Sequence, residues 1–278
     1  MTIDEALQDA VAALASSSDS ARLDAEILLA HVLNQQRSYL RTHADDTFSI
    51  ADRQSYAALI ARRQRGEPIA YLNGHKEFWS LDLHVNQHTL IPRPETELLI
   101  ETVLTLFPDK AQCIKAADLG TGSGAIALAL ASERLHWEIF AVDMSDSALR
   151  TARDNAQRLR INNVSFYLGD WFTALPEREF DLVVSNPPYL SKEEWPAYAD
   201  GLAFEPECAL LSGEDGLDAI RQICQTAHQY IRPGGVLLVE HGFLQGQSVR
   251  DLFILAGCSG VQTIHDLSGQ DRITIGRF

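Results

Sequence analysis

From about residue 114 onward, short apolar runs alternate with longer segments that have helical spacing. The runs predicted as strands are 114–118, 138–143, 164–168, 181–185, 236–240, 261–266 and 272–277. Repeated strand–helix units predict a mainly parallel sheet with helices on both faces. Only a short connection containing Ser268 and Gly269 joins the last two runs, and a parallel crossover needs more residues than this. We therefore expect the last strand to be antiparallel.

The first part of the chain, residues 1–75, has a different pattern and is predicted to form a small helical domain. Thr2 and Glu5 fit a capping box, and further helices are expected over 21–33 and from Ser49 to Gly66. This domain is either a structural cap or a docking module for a substrate. Residues 76–93 alternate like a strand or hairpin and are interpreted as a linker, which leaves 94–278 as the α/β domain.

Charge and composition exclude several classes of protein. The formal net charge is −15 at pH 7, which disfavours binding to nucleic acid and suits a basic or neutral partner. The apolar stretches are too short to span a bilayer, so no membrane-spanning segment is expected. No basic region precedes the apolar residues at the N-terminus, so no signal peptide is expected. The cysteines lack metal-ligand spacing, which predicts free thiols, a cytoplasmic location and no metal.

A glycine-rich loop follows the first predicted strand of the α/β domain. Asp118 precedes the loop, and its Gly-x-Gly-x-Gly spacing lets the backbone turn tightly and lets its N–H groups approach a ligand closely. With Ala125 the loop also satisfies the dinucleotide pattern G-x-G-x-x-A, so it fits either a nicotinamide enzyme or a methyltransferase. The loop residues expected to contact the cofactor are Gly120, Thr121, Gly122, Ser123 and Gly124.

Acidic residues end the next two predicted strands. Asp143 is placed to accept hydrogen bonds from both ribose hydroxyls of an adenosine, although it can also help to cap the following helix. Asp170 can bind the exocyclic amine of adenine, and Trp171 can stack on its ring. Together with the glycine-rich loop, Asp143 favours nucleoside binding.

The residues Asn186-Pro187-Pro188-Tyr189 follow the fourth predicted strand and indicate the reaction. The Asn186 side-chain oxygen and the Pro187 carbonyl can accept the two N–H bonds of a planar –NH2 group, while Tyr189 packs against its flat face. An amide nitrogen is a poor nucleophile because its lone pair is delocalised. Two acceptors pulling on its hydrogens favour the electron-rich transition state, without any strong base. This pattern predicts methylation of an amide or amine nitrogen.

The glycine-rich loop, Asp143 and Asn186–Tyr189 resemble class I methyltransferases that act on exocyclic or amide nitrogen. The chain more closely resembles the bacterial release-factor glutamine N5-methyltransferases, the PrmC/HemK family, over almost its whole length. The segments that carry this closer resemblance are 23–29, 68–74, 90–97, 204–206 and 213–217.

The resemblance implies a Rossmann-like, mostly parallel sheet of seven strands with the last antiparallel, behind a helical N-terminal domain that helps to hold the substrate. The implied cofactor is S-adenosylmethionine, leaving as S-adenosylhomocysteine. The implied substrate is the glutamine of the Gly-Gly-Gln motif in class I peptide-chain release factors. The main alternative is an adenine-N6 methyltransferase acting on DNA or RNA, which would use the same catalytic loop on a flipped base. A nicotinamide oxidoreductase is a further alternative, but it does not explain Asn186–Tyr189. An inactive binding module is disfavoured because all the motif positions are intact.

Overall fold

The computed structural model describes the backbone of residues 1–278 and the side chains of all of them except residues 199 and 200. The chain it describes divides into two compact units. The first contains Met1–His75 and Asp200–Phe204, and the second contains Lys76–Ala199 and Glu205–Phe278.

The first unit is helical and has its own apolar core. The Thr2 hydroxyl accepts the Glu5 N–H while the Glu5 carboxylate accepts the Thr2 N–H, so the predicted capping box is confirmed. The short helices α3 and α5 were not predicted, because five or six residues are too few to show a helical period. The helices are α1 (Ile3–Leu14), α2 (Ala21–Val32), α3 (Arg37–Thr42), α4 (Ile50–Gln64) and α5 (Ile69–Asn73).

Buried acidic side chains on α2 are paired within the first unit. Asp24 accepts hydrogen bonds from Ser18 and Ser20 and forms an ion pair with Arg63 at 2.7 Å. Glu26 is held by Arg22 and Arg37, each at 2.7 Å. A buried carboxylate is costly unless it is paired, so these acids serve the packing of the helices.

β1 (His75–Phe78) and β2 (Leu81–His84) form a two-stranded sheet near the start of the second unit. Its turn residues, Trp79 and Ser80, both have positive φ, as a tight hairpin with right-handed twist requires. The Trp79 N–H donates to Glu97 Oε1 at 2.9 Å, which anchors this strained turn. A 3-10 turn at Pro94–Thr96 then leads into the next helix.

The main sheet of the second unit has seven strands among the described residues, in the order β5-β4-β3-β6-β7-β9-β8. β9 runs antiparallel to both of its neighbours, β7 and β8, and the pairs among β3 to β7 are parallel. The predicted fold is therefore confirmed. The strands are β3 (Lys115–Leu119), β4 (Glu138–Asp143), β5 (Val164–Leu168), β6 (Phe180–Ser185), β7 (Ile231–Glu240), β8 (Ser259–His265) and β9 (Asp271–Arg277).

Helices cover the sheet, and alternate strand residues face opposite apolar clusters. Ile139 belongs to one cluster and Phe140, its neighbour on β4, to the other, as the period of two in a strand requires. No helix in the described part of the chain is long and apolar enough to cross a membrane. The helices that follow β2 in the chain are α6 (Glu97–Leu106), α7 (Ala125–Glu133), α8 (Asp146–Leu159), α9 (Trp195–Leu202), α10 (Asp218–Ala227) and α11 (Gly246–Leu255).

Candidate active site

A cleft opens at the carboxyl ends of the central strands. β3 pairs with β4 on one side and with β6 on the other. The chain runs outwards from β3 to β4 and β5 and then crosses back to β6, so a crevice forms at the carboxyl end of β3, where the strand order reverses. The cleft holds about 1010 Å³ of space that protein atoms do not fill, part of it open to solvent. The predicted site residues that line it are Gly120, Thr121, Gly122, Ser123, Asp143, Asp170, Trp171, Asn186 and Pro188.

The glycine-rich loop forms one wall of this cleft. Gly120, Gly122 and Gly124 all have positive φ, a conformation that side chains disfavour. A Cβ at Gly124 would lie 3.0 Å from Leu128 and 3.2 Å from Ala152, so this glycine lets helices pack closely and does not line the cleft. A Cβ at Gly122 would meet nothing within 4 Å, which leaves the backbone open to a ligand.

Most backbone donors of the loop are already used inside the protein. Gly120 and Thr121 donate to the Val142 carbonyl at 2.9 Å, and Gly124 donates to the Thr121 carbonyl at 2.8 Å. Gly122 donates to Asp143 Oδ2 at 2.8 Å. The expectation that these N–H groups serve a ligand therefore needs revision: the loop supplies shape to the cleft more than hydrogen-bond donors.

Asp118 fixes the loop from behind. Its Oδ2 accepts the Thr121 hydroxyl at 2.6 Å and the Ala127 N–H at 3.1 Å, which connects the loop to the start of α7. The carboxyl group is fully buried, and this burial raises its pKa to about 7. Asp118 does not line the cleft, so it orders the loop without facing a ligand.

Asp143 presents a carboxyl group to the cleft at the end of β4. Each of its oxygens accepts one backbone N–H at 2.8 Å, from Gly122 and from Ser145. Burial raises its pKa, and these bonds act in the opposite direction. The α8 helix is capped by the Ser145 hydroxyl, which accepts the Ala148 N–H at 3.2 Å, so the capping role considered for Asp143 belongs to its neighbour.

Asp170 and Trp171 are held together by Gln222 on α10. The Trp171 indole donates to Gln222 Oε1 at 3.1 Å, and Gln222 Nε2 donates to Asp170 Oδ2 at 2.7 Å. The Trp171 ring lies against Gly120, since a Cβ there would be 3.4 Å from the ring. The acid and the aromatic ring predicted to bind adenine thus come to one place, in a fixed orientation.

Asn186 follows β6 and is fixed by a residue far away in the chain. Its Nδ2 donates to Thr96 Oγ1 at 3.1 Å, and Thr96 is 3% exposed. Because the amide nitrogen is held in this way, Asn186 Oδ1 is directed away from Thr96. Both residues line the cleft.

The other residues of the Asn186–Tyr189 segment differ in their surroundings. Pro188 lines the cleft, whereas Pro187 is buried and Tyr189 is half-buried, and neither is among the described lining residues. The Tyr189 carbonyl accepts from Gln245 Nε2 at 2.9 Å. A Cβ at Gly216 would lie 2.3 Å from that carbonyl oxygen, which requires glycine there and explains part of the 213–217 segment.

Glu205 joins segments on the other wall of the cleft. Its Oε2 accepts the Ile91 N–H at 3.0 Å, and its other oxygen forms an ion pair with Arg93. The Glu205 side chain is only 2% exposed, so this pair is protected from solvent. Leu90, Pro92 and Pro206, the neighbours of this clamp, line the cleft.

Comparison with known proteins assigns the family. Residues 5–74 match the model of the PrmC N-terminal domain, and residues 102–265 match that of a methyltransferase domain. Release factor glutamine methyltransferase of Pseudomonas aeruginosa is 49% identical over 94% of this chain and 94% of its own. The Escherichia coli protein of the same name is 44% identical over 98% of this chain and 97% of its own.

The chain belongs to the release factor glutamine methyltransferase family.

Solved structures of lower sequence identity support the fold alone. A methyltransferase from Pyrococcus furiosus is 20% identical, with a TM-score of 0.53, and the match covers 78% of this chain and 96% of the other. The catalytic domain of hMettl16, in complex with MAT2A 3'UTR hairpin 1, has a TM-score of 0.60 at 13% identity, over 90% of this chain and 91% of the other.

Sequence reasoning about this family member missed Thr96 and Gln222. Thr96 lies in the 90–97 segment that carried the family resemblance, but nothing local connects it with Asn186. Gln222 is an exposed polar residue of a helix, and no sequence pattern distinguishes it.

Proposed function

We propose that this chain transfers a methyl group from S-adenosylmethionine to the side-chain amide nitrogen, N5, of a glutamine in peptide-chain release factors. By the family resemblance, that glutamine belongs to the Gly-Gly-Gln motif of class I release factors. The observation that supports the proposal is the Asn186–Thr96 hydrogen bond, because it holds the amide nitrogen of Asn186, so that the amide oxygen would be presented to a substrate –NH2.

The cleft fits an adenosyl group better than a dinucleotide. Asp143 supplies the acceptor for ribose hydroxyls, and Trp171 with Asp170 suits an adenine ring and its amine. A pyrophosphate needs cations or free backbone N–H groups. None of the described residues that line the cleft is Lys or Arg, and four N–H groups of the glycine-rich loop bond within the protein. The nicotinamide alternative is therefore disfavoured.

Bound S-adenosylmethionine would supply an electrophilic methyl group. Asn186 Oδ1 and the Pro187 carbonyl would accept the two N–H bonds of the glutamine amide and so orient its nitrogen. As that nitrogen becomes pyramidal, its hydrogens carry more positive charge and both bonds strengthen. Tyr189 would pack against the plane of the amide. Burial raises the pKa of this tyrosine to about 12, so its hydroxyl stays neutral during the reaction.

The first unit is proposed to dock the release factor. It has its own core and matches the PrmC N-terminal domain, and its buried acids Asp24 and Glu26 are used in structural ion pairs. A cytoplasmic location agrees with the cysteines, since Cys113, Cys208, Cys224 and Cys258 are all free.

One experiment separates this proposal from methylation of adenine. The protein is incubated with S-adenosylmethionine labelled in its methyl group and with a cell extract, and the label is followed into protein and into nucleic acid. We expect label in a single protein band of release-factor size. Label in DNA or RNA would contradict the proposal, and so would the absence of incorporation despite measurable cofactor binding.

A further inference from the structure

Glu240 lies beside Asn186–Tyr189 and takes no part in the proposed binding of the substrate amide. It is the last residue of β7 and is 1% exposed. The parallel register of β6 and β7 pairs Ser185 with Val239, so the residues that follow, Asn186 and Glu240, leave the sheet at the same edge. A carboxyl group is rarely buried in this way without a partner or a function.

The groups around this carboxyl are those that hold Asn186. Thr96 and Asn186 both face Glu240 as hydrogen-bonding groups. The Thr96 oxygen already accepts from Asn186 Nδ2, so the hydrogen of the Thr96 hydroxyl is available for the Glu240 carboxyl. Glu240 Oε2 has no hydrogen-bond partner among the described residues, which leaves acceptor capacity next to the catalytic loop.

We propose that Glu240 is a positioning residue for methyl transfer, which holds Asn186 through Thr96 and places a negative charge behind the reacting amide. This inference rests on the function proposed above and assigns a further residue to the same site. The Glu240 carboxylate would keep the Thr96 hydroxyl pointing towards itself, and the Thr96 oxygen would keep the Asn186 amide from flipping. Asn186 Oδ1 is then always presented to the substrate.

The charge of Glu240 also matches the charge that develops during the reaction. As the new C–N bond forms and the methyl–sulfur bond breaks, positive charge passes to the amide nitrogen, until a proton leaves that nitrogen for water. A fixed negative charge beside Asn186 stabilises the partly positive amide nitrogen of the transition state more than the neutral amide of the ground state. The ionised form of Glu240 is therefore the more active form.

Ionisation of Glu240 falls within the physiological range. Burial raises its pKa to about 7, and the Glu95 carboxylate in the neighbouring 3-10 turn acts in the same direction. Arg272 on β9 opposes this shift, as do the hydrogen bonds from Thr96 and Asn186. Tyr189 also faces this group, and its own pKa is raised by Glu240 as well as by burial.

The test compares kcat of the parent with kcat of Glu240→Gln at the same pH values, from about pH 6 to about pH 8.5. The substrate is a release factor that carries the glutamine, and titrations shared by both enzymes cancel in the ratio. We expect the two to be similar at low pH and the parent to be about tenfold faster at high pH, as expected for one charge-assisted hydrogen bond. KM for the release factor and the affinity for S-adenosylmethionine should change little.

Further variants keep the test independent of any folding defect in Glu240→Gln. Thr96→Val removes the hydroxyl at similar volume and should lower kcat at high pH, and Thr96→Ser should recover most of that loss. Glu95→Gln removes an exposed charge that raises the pKa of Glu240, so it should move the midpoint of the parent pH profile to lower pH.

Two results would overturn the role of Glu240. One is a parent-to-variant ratio of kcat that is constant across the pH range, and the other is a midpoint unmoved by Glu95→Gln. A parent enzyme that does not methylate the release factor at any pH would instead contradict the proposed function, so the two failures are distinguishable.

Discussion

The Trp171 indole donates a hydrogen bond to Gln222 Oε1 at 3.1 Å, although 51 positions separate the two residues in the chain. The same Gln222 donates to Asp170 at 2.7 Å, so one side chain orients both groups proposed to bind adenine. Gln222 itself does not line the cleft.

Replacing Gln222 should therefore weaken cofactor binding without removing a cofactor contact. We expect Gln222→Ala to raise the Kd for S-adenosylmethionine by about two- to tenfold, the effect of losing about 0.5–1.5 kcal/mol of hydrogen bonding that orients the site. Isothermal calorimetry measures this change. Gln225→Ala on the exposed face of the same helix is the matched control and should bind like the parent. Equal affinities for all three proteins would show that Gln222 does not order the site.

Asp143 gives the stronger prediction about the cofactor. Asp143→Ala should weaken binding of S-adenosylmethionine by about tenfold or more, because hydrogen bonds to a charged acceptor contribute about 1.5–3 kcal/mol each. Asp146→Ala, an exposed change in the first turn of α8, controls for charge and helix stability. Unchanged binding by Asp143→Ala, or tight binding of NAD by the parent, would contradict the assignment of this cleft.

Glu240 and Asp118 also predict how stability depends on pH. Burial raises both pKa values to about 7 in the folded protein, well above the ordinary values of 4.5 and 3.8. Between these limits the folded state binds more protons than the unfolded state, so these groups make the unfolding free energy fall as pH rises. Glu240→Gln removes one contribution, of at most about 1.4 kcal/mol per pH unit.

Urea unfolding at several pH values from about 5 to about 8 measures this effect. The variant should gain stability relative to the parent as pH rises, and other carboxylates cancel in the difference. A difference between the two proteins that does not depend on pH would mean that Glu240 is ionised throughout.

The proposed docking role of the first unit predicts a separation of binding and catalysis. Deleting residues 1–75 should leave the affinity for S-adenosylmethionine intact, because all the described residues that line the cleft belong to the second unit. Methylation of an intact release factor should fall sharply, mainly through a higher KM. Calorimetry establishes that the truncated protein is folded. Full activity of that folded protein would exclude a docking role.

The regular elements of this chain were well predicted because their signals are local. The strands β4 and β5 have the predicted limits, and the other strands of the main sheet differ mainly at their ends. Each of these signals involves only a few neighbouring residues and can therefore be recognised in the sequence. They are the period-two alternation of strands, glycines suited to positive φ and an acidic residue at the end of a strand.

The supporting contacts of the site were not predicted because they depend on tertiary structure. Thr96 meets Asn186 across 90 positions of sequence, and Gln222 meets Asp170 across 52. The internal hydrogen bonds of the glycine-rich loop were also unexpected, since glycine spacing predicts a tight turn but not the direction of each N–H. Hydrogen bonds between side chains that are distant in the sequence depend on how the elements pack, and no pattern in a single sequence predicts them.

The central claim is that the loop at Asn186 acts on the amide nitrogen of glutamine. A site built to bond a substrate N–H can reject an analogue that lacks it by roughly 10⁴–10⁵-fold. A release factor with its natural Gly-Gly-Gln motif and its Gln→Glu variant should therefore behave differently when each is incubated with this protein and S-adenosylmethionine. Mass spectrometry of the peptide that contains the motif measures the outcome. The account predicts a gain of about 14 Da, one methyl group replacing hydrogen, on the natural peptide and none on the Glu variant. Methylation of both peptides, or of neither while adenine in DNA gains the methyl group, would contradict it.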